Sequence, residues 1–301
     1  NQMNEISKDE LMRGLLDVQV LGGDSQEKNS NKSPINGLVG VYKKWGKTPL
    51  ETLDELRQKY PVLEGVPLSY AGRLDPLAEG LMLVLVGEAN KDREKYLGLN
   101  KTYEVEILFG IKTDTGDLFG VPCVDSTGDT LNFSSKNSKD FEDELTTVLK
   151  SFVGKQQFPY PIYSSKTVQG KPLFQWMNEG KINEIEIPKT DVEIYSLELL
   201  GADLNKIKEV RGSEILEKVE HALNTVKGDF RYDEIRAGWN EVLKDKSEVN
   251  FTVIKIECEC SSGTYMRVLA EEIGKKLGVL ALAYSIKRTR VGGIQVEHFL
   301  S

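Results

Sequence analysis

The chain has 301 residues, 39% of them hydrophobic and 29% charged, with ten prolines and a formal net charge of −8. That is ordinary globular composition, long enough for one large domain or two modest ones. No stretch approaches the roughly eighteen consecutive apolar residues of a membrane span, and the polar start, Asn1 to Asp9, lacks an apolar signal core. A cytoplasmic protein without membrane association is therefore expected.

Cys123, Cys258 and Cys260 have neither metal nor redox spacing, and a reducing compartment suits them. The acidic balance argues against a nucleic-acid partner. Local lysines and arginines set a phosphate contact, however, whereas net charge mainly governs solubility and steering. Some of the acid, such as Glu214, Glu217 and Glu220, falls on one predicted helix.

Taken in chain order, residues 1–35 read as an extension. A short amphipathic helix is expected over Asp9 to Val20, then a flexible linker over Gly22 to Pro34. Gly37 to Tyr42 suits a strand. Thr48, Pro49 and Glu51 then form a capping-box start to a helix running to about Tyr60. Tyr70 to Gly80 reads as a loop, and Leu81 to Gly87 (LMLVLVG) is continuously apolar and short, hence a buried strand. Tyr103, Val105, Ile107 and Phe109 alternate, which predicts a half-buried strand.

A helix is predicted from about Ser138 to Phe152, with strands over Val192 to Leu200 and Phe251 to Cys260. Between those strands lies a charged insertion at about 202–247. Its Ile215, Leu216, Val219, Ala222, Leu223 and Val226 make one helical stripe, with Ser213 as N-cap and Gly228 as stop. The mixed charge favours a solvated decoration. Thr264 to Leu277 reads as a last helix, followed by the basic run Lys287-Arg288-Thr289-Arg290. Interleaved strands and helices with half-buried alternation predict an α+β fold on a mixed or antiparallel sheet with flanking helices.

Chemistry concentrates around Asp75. A carboxylate after a glycine-containing turn and before a buried strand sits at a rigid edge, where function often resides. An aspartate before proline is also a common turn residue. The surrounding run, GRLDPLAEGLMLVLVGEANK, resembles the catalytic motif of TruB-type tRNA pseudouridine synthases. Four further segments resemble the same family in the same order: GLVGVYKKWGKT from Gly37; Lys101-Thr102-Tyr103 with GIKTDTGD from Gly110; YSSKTVQGK from Tyr163; and SGTYMR from Ser262 with Lys287-Arg288 beyond. The resemblance covers roughly residues 37–292 and implies a pseudouridine synthase-like catalytic fold over 36–301.

It also implies a reaction: a uridine is flipped out of RNA, its glycosidic bond broken and the base rejoined through carbon, without metal or redox cofactor. The implied partner is the T-arm stem-loop of tRNA, and the implied target its uridine 55. Asp75 would be the catalytic carboxylate, Arg267 the arginine that orients it, and Tyr103 the ring that stacks on the flipped base. By periodicity alone, Tyr103 is equally a core aromatic and Arg267 a surface helix residue. Ile286 matches an apolar residue under the base, and equally suits a core. Lys43, Lys166, Lys171, Lys287, Arg288 and Arg290 are candidate phosphate contacts, though an isolated lysine is usually solvated surface.

The chain departs from the family pattern in several places. Tyr70 stands where many members have histidine, and Arg73 where they have threonine or alanine. Both remain candidate substrate contacts. Arg73-Leu74-Asp75 also resembles the motif of the RluA-type synthases, which act on ribosomal RNA. Lys44 replaces a proline, and Ser165-Lys166-Thr167 shifts the loop lysine by one place. The end at Ser301 is expected to leave no room for the family's small RNA-binding PUA domain. A tRNA-binding chaperone with little catalysis is the alternative from another class.

Overall fold

The computed structural model describes residues 35–123, 138–201, 207–228 and 230–295. The expected N-terminal helix and linker lie outside them.

The first elements are β1 (Gly37–Lys43), α1 (Pro49–Lys59), β2 (Leu68–Ala71), β3 (Ala78–Val86), α2 (Arg93–Leu97) and β4 (Lys101–Phe109). Then come β5 (Lys112–Thr113), β6 (Pro122–Cys123), α3 (Ser138–Lys150), β7 (Gly154–Pro159), β8 (Thr167–Val168), β9 (Lys171–Pro172) and α4 (Leu173–Asn178). The remainder is β10 (Lys189–Leu199), β11 (Ile207–Arg211), α5 (Gly212–Thr225), α6 (Tyr232–Leu243), β12 (Asn250–Cys260), α7 (Met266–Leu277), β13 (Ala281–Val291) and β14 (Ile294–Gln295). The fold is α+β. The chain divides into two compact units, one built from residues before 102 and after 286, the other from 102–286.

In the first unit β3 pairs antiparallel with β1, from Gly37 opposite Val86 to Lys43 opposite Gly80, and with β2, from Leu68 opposite Val86 to Ala71 opposite Leu83. Side chains alternate across a strand, so both faces of β3 must be covered for its run to be wholly apolar. They are: Met82, Val84 and Val86 pack with Val39, Leu53, Leu56 and Leu63, while Leu81, Leu83 and Leu85 pack with Ala71, Val291 and Ile294. Helix α1 starts as its sequence predicts. The Glu51 amide donates to Thr48 Oγ1 at 3.2 Å, and the Thr48 amide donates to Glu51 Oε2 at 2.8 Å.

In the second unit β10 joins β7 on one side and β12 on the other, with a register shift between Ile194 and Ser196, and β11 pairs with β12. On β4, Tyr103, Val105, Ile107 and Phe109 are buried together as the alternation predicts. On its other face Glu104 pairs with Lys255 at 2.6 Å and Glu106 with Lys208 at 2.5 Å. Cys258 and Cys260 share one buried face of β12.

The insertion is where the structure departs most from expectation. The predicted helix is present as α5, but its N-cap is Arg211, two residues before Ser213, with the Arg211 amide donating to the Glu214 carboxylate at 2.7 Å. A second helix, α6, follows it. Its Ile235, Trp239 and Leu243 are buried, and Trp239 is 0% exposed with its indole N–H directed at the carbonyls of Leu118 and Gly120, 3.2 and 3.0 Å away. Burying that ring contributes on the order of 2–3 kcal/mol. The solvated-decoration reading is thereby corrected: the described part of the insertion is packed into the core of its unit.

Candidate active site

Asp75 lies half-buried in the turn between β2 and β3, with Leu74 and Leu77 on either side buried as anchors. Its carbonyl accepts from the Ala78 amide at 3.0 Å, and the Pro76 carbonyl accepts from the Gly46 amide at 2.9 Å. Carbonyls in and beside this turn also accept from side chains, and two buried cations supply the donors. Lys43 Nζ donates to the carbonyls of Ala78 at 2.5 Å, Lys44 at 3.1 Å and Pro76 at 3.2 Å. Arg288 donates from Nε to the Leu81 carbonyl at 2.7 Å and from Nη2 to the Gly72 carbonyl at 2.9 Å.

Gly80 makes this arrangement possible. At φ +110, a Cβ on it would sit 2.2 Å from the Arg288 carbonyl oxygen. Burial pushes Lys43 down to about 8, opposed chiefly by the negative charge of Asp75. A buried ammonium is disfavoured by desolvation, and a nearby carboxylate restores part of its affinity for the proton.

These contacts correct two expectations. Lys43 is 0% exposed and Arg288 1% exposed, so both are internal braces of the Asp75 turn rather than phosphate contacts. Of the other candidates in this unit, Arg73 and Arg290 are exposed, while Tyr70 and Lys287 are half-buried. Tyr70 lies on β2, where its carbonyl accepts from Arg93 Nε at 3.2 Å.

In the second unit Arg267, the second residue of α7, is 5% exposed, so it is not a surface helix arginine. Its Nη1 donates to the Thr115 carbonyl at 2.7 Å. Thr115 belongs to a tight loop, 113–117, which is held from within. Thr113 Oγ1 donates to the Asp117 carbonyl at 2.6 Å, while Asp117 Oδ1 accepts from Thr115 Oγ1 at 2.7 Å and from the Phe119 amide at 2.9 Å. Gly116, at φ +77, lets the loop lie directly on α7: a Cβ there would be 2.7 Å from Glu271 Oε1 and 3.2 Å from Arg267 Cβ. Burial pushes the Glu271 carboxyl above its ordinary range, against the pull of Lys275 and Arg267.

Tyr103 is buried on β4 and Ile286 is buried on β13. Lys166 is exposed, with its Nζ 4.8 Å from the centroid of the Tyr160 ring. Lys171 is paired with Glu179 at 2.5 Å and sits 4.3 Å over the Trp176 ring, so its charge is already matched inside the protein.

The sequence reading did not single out Asp114, Asp117, Tyr163 or Arg231. The first three stand inside quoted motifs and could have been found there. Arg231 lies in the insertion, where no pattern marked it. Among the described residues no group of three or more His, Cys, Asp or Glu side chains is arranged to hold a metal ion, and no helix is long and apolar enough to cross a membrane.

Comparison with known proteins sets these loops in context. The model of the TruB family pseudouridylate synthase N-terminal domain matches residues 66–213. A tRNA pseudouridine synthase B of Staphylococcus aureus (strain Newman) is 30% identical over 268 residues, which is 88% of this chain and 70% of that protein. The protein of the same name from Caldicellulosiruptor saccharolyticus is 28% identical over 264 residues, 87% of this chain and 70% of its own. That from Thermosipho melanesiensis is 30% identical over 261 residues, and the chain spans 66% of it. Among solved structures, a Cbf5-Nop10-Gar1 complex aligns at 16% identity with a TM-score of 0.49, covering 86% of this chain and 49% of that one. On the strength of the sequence relatives, this chain belongs to the TruB family of pseudouridine synthases.

Proposed function

We propose that this chain isomerises uridine to pseudouridine in tRNA, in the cytoplasm, and that its target is uridine 55 of the T-loop. The observation that carries the reading is the Asp75 turn: a half-exposed carboxylate held on a rigid strand edge by two buried cations, within the motif that this family uses for catalysis. Asp75 assists cleavage of the bond between N1 of the base and C1′ of the ribose. The freed uracil turns over and C5 bonds to C1′. C5 then loses its proton and N1 gains one, so the reaction is a balanced isomerisation with no electron donor or acceptor.

Tyr103 supplies a ring for the extruded base, where stacking is worth about 1–3 kcal/mol and offsets much of the extrusion cost. Arg267 supplies a fixed guanidinium to the same reaction. Arg73, Tyr70, Lys166, Lys287 and Arg290 are the remaining candidates for RNA contact, each on an exposed or half-buried position. Recognition rests on shape and on unpaired bases, as is usual for folded RNA.

The test is to incubate the full chain with a tRNA transcript and with a transcript whose T-loop uridine is changed to cytidine, then map pseudouridine by carbodiimide adduct and primer extension. A stop at the T-loop uridine alone supports the reading. A stop elsewhere would overturn the target, and tight binding without product would favour the chaperone alternative.

A further inference from the structure

The insertion does more than fill space in its unit, because two of its side chains end on the loop that seats Arg267 and on the segment just after it. Arg231, just before α6, places Nη1 2.8 Å from Asp114 Oδ2, and its guanidinium lies 4.6 Å from the centroid of the Tyr163 ring. The Tyr163 hydroxyl donates to the same Asp114 oxygen at 3.4 Å. The other carboxylate oxygen, Oδ1, accepts from the Val121 amide at 2.9 Å. Arg231 therefore ties two separate motif segments together, the 113–117 loop and the start of the Tyr163 to Lys171 loop. Trp239 holds the segment just after the first loop through the carbonyls of Leu118 and Gly120.

The pair is sheltered, with side chains 29% and 15% exposed for Arg231 and Asp114. Exposed ion pairs contribute about 0–1 kcal/mol; one partly shielded and stacked on a ring contributes more. Glu234 stands 3.6 Å from the same guanidinium nitrogen. Desolvation, and next the charge of Asp114, push Tyr163 up to about 12, so it remains a neutral donor across the working range.

The structure assigns to Arg231 the part of a positioning residue: it fixes Asp114 and Tyr163, hence the 113–117 loop, and through the Thr115 carbonyl the placement of Arg267. It touches no reacting atom, and the inference rests on the activity proposed above. A lysine at 231 would keep the charge but lose the planar face that stacks on Tyr163.

The experiment measures single-turnover pseudouridine formation, tRNA Kd and Tm for the wild-type full chain, Arg231→Gln, Arg231→Lys, Asp114→Asn and the double variant Arg231→Gln/Asp114→Asn. The expected result is a rate about tenfold lower for Arg231→Gln with Kd within about twofold, and partial recovery in Arg231→Lys. The double variant should be no slower than Asp114→Asn alone, since the two residues act as one unit. A rate within about twofold of wild type, fully additive losses, or a loss appearing wholly as weaker tRNA binding would overturn the assignment. Should Arg231→Gln melt below the assay temperature, Arg231→Lys carries the same test: a folded variant as fast as wild type would overturn the stacking contribution. A wild type that makes no product would overturn the proposed function itself, and this inference with it.

Discussion

The two loops on which the proposed reaction rests are built by opposite means. The Asp75 turn is held by cations, Lys43 and Arg288, that donate to main-chain carbonyls. The 113–117 loop is held by carboxylates, Asp114 and Asp117, that accept from main-chain amides and neighbouring side chains. In the first loop the bracing side chains are buried and, among the contacts given above, donate to main-chain carbonyls. In the second, the bracing is shared with an insertion, through Arg231 and Trp239. The contrast teaches that one loop is supported by residues of the family motifs themselves, whereas the other draws support from a segment foreign to them.

The sharpest way to break the comparison is Arg288→Met. It leaves two buried carbonyls without their charged donor, each worth about 1–3 kcal/mol. A stability loss of roughly 2–5 kcal/mol is expected in chemical denaturation, with the salt dependence of tRNA binding unchanged in the fraction that remains folded. A smaller salt slope with stability intact would mean that Arg288 contacts phosphate after all.

Lys43 offers a pH test of the same turn. Its folded value of about 8 lies below the ordinary 10.5, so between those two pH values the unfolded chain holds more protons than the folded one. Stability therefore rises as pH increases through that window, and below pH 8 the charged lysine is carried at a cost on the order of 3 kcal/mol. Denaturation of wild type against Lys43→Met at pH 7 and pH 10 should show the difference moving in favour of wild type by about 2–3 kcal/mol. A difference independent of pH would contradict the burial argument.

For the second loop, Arg267→Lys should lower the single-turnover rate on the order of 10²-fold while Tm changes little, because a lysine cannot hold the Thr115 carbonyl and present a fixed fork at once. The smallest effect belongs to exposed Arg290. Arg290→Gln should alter stability by no more than about 0.5 kcal/mol and reduce the salt slope of tRNA binding by about 0.7–0.9 if that side chain meets a phosphate.

Much of the fold was legible because local rules and burial agreed. Thr48, Pro49 and Glu51 formed the capping box they spell out, and the continuous run of β3 proved apolar on both faces. The Asp75 turn was legible as a motif, but its support was not. Lys43 and Arg288 look like solvent-facing charges until the folded turn shows them buried against main-chain carbonyls. Helix α6 escaped notice because its apolar stripe is narrow, three residues among charges, with Gly238 in the middle. That glycine is a packing device: a Cβ there would lie 2.9 Å from Pro122 Cδ. The Arg231–Asp114 pair joins residues far apart in the chain, and nothing local to either announces the other.

The measurement that bears most directly on the account is tritium release from tRNA labelled at C5 of its uridines, with wild type and Asp75→Asn compared at equal folded concentration. Asn keeps the size while removing the carboxylate and its charge beside Lys43. Release by wild type that falls to background in Asp75→Asn, with Tm and tRNA binding preserved, is the expected outcome. Release that continues undiminished in Asp75→Asn would contradict the placement of the reaction at this turn.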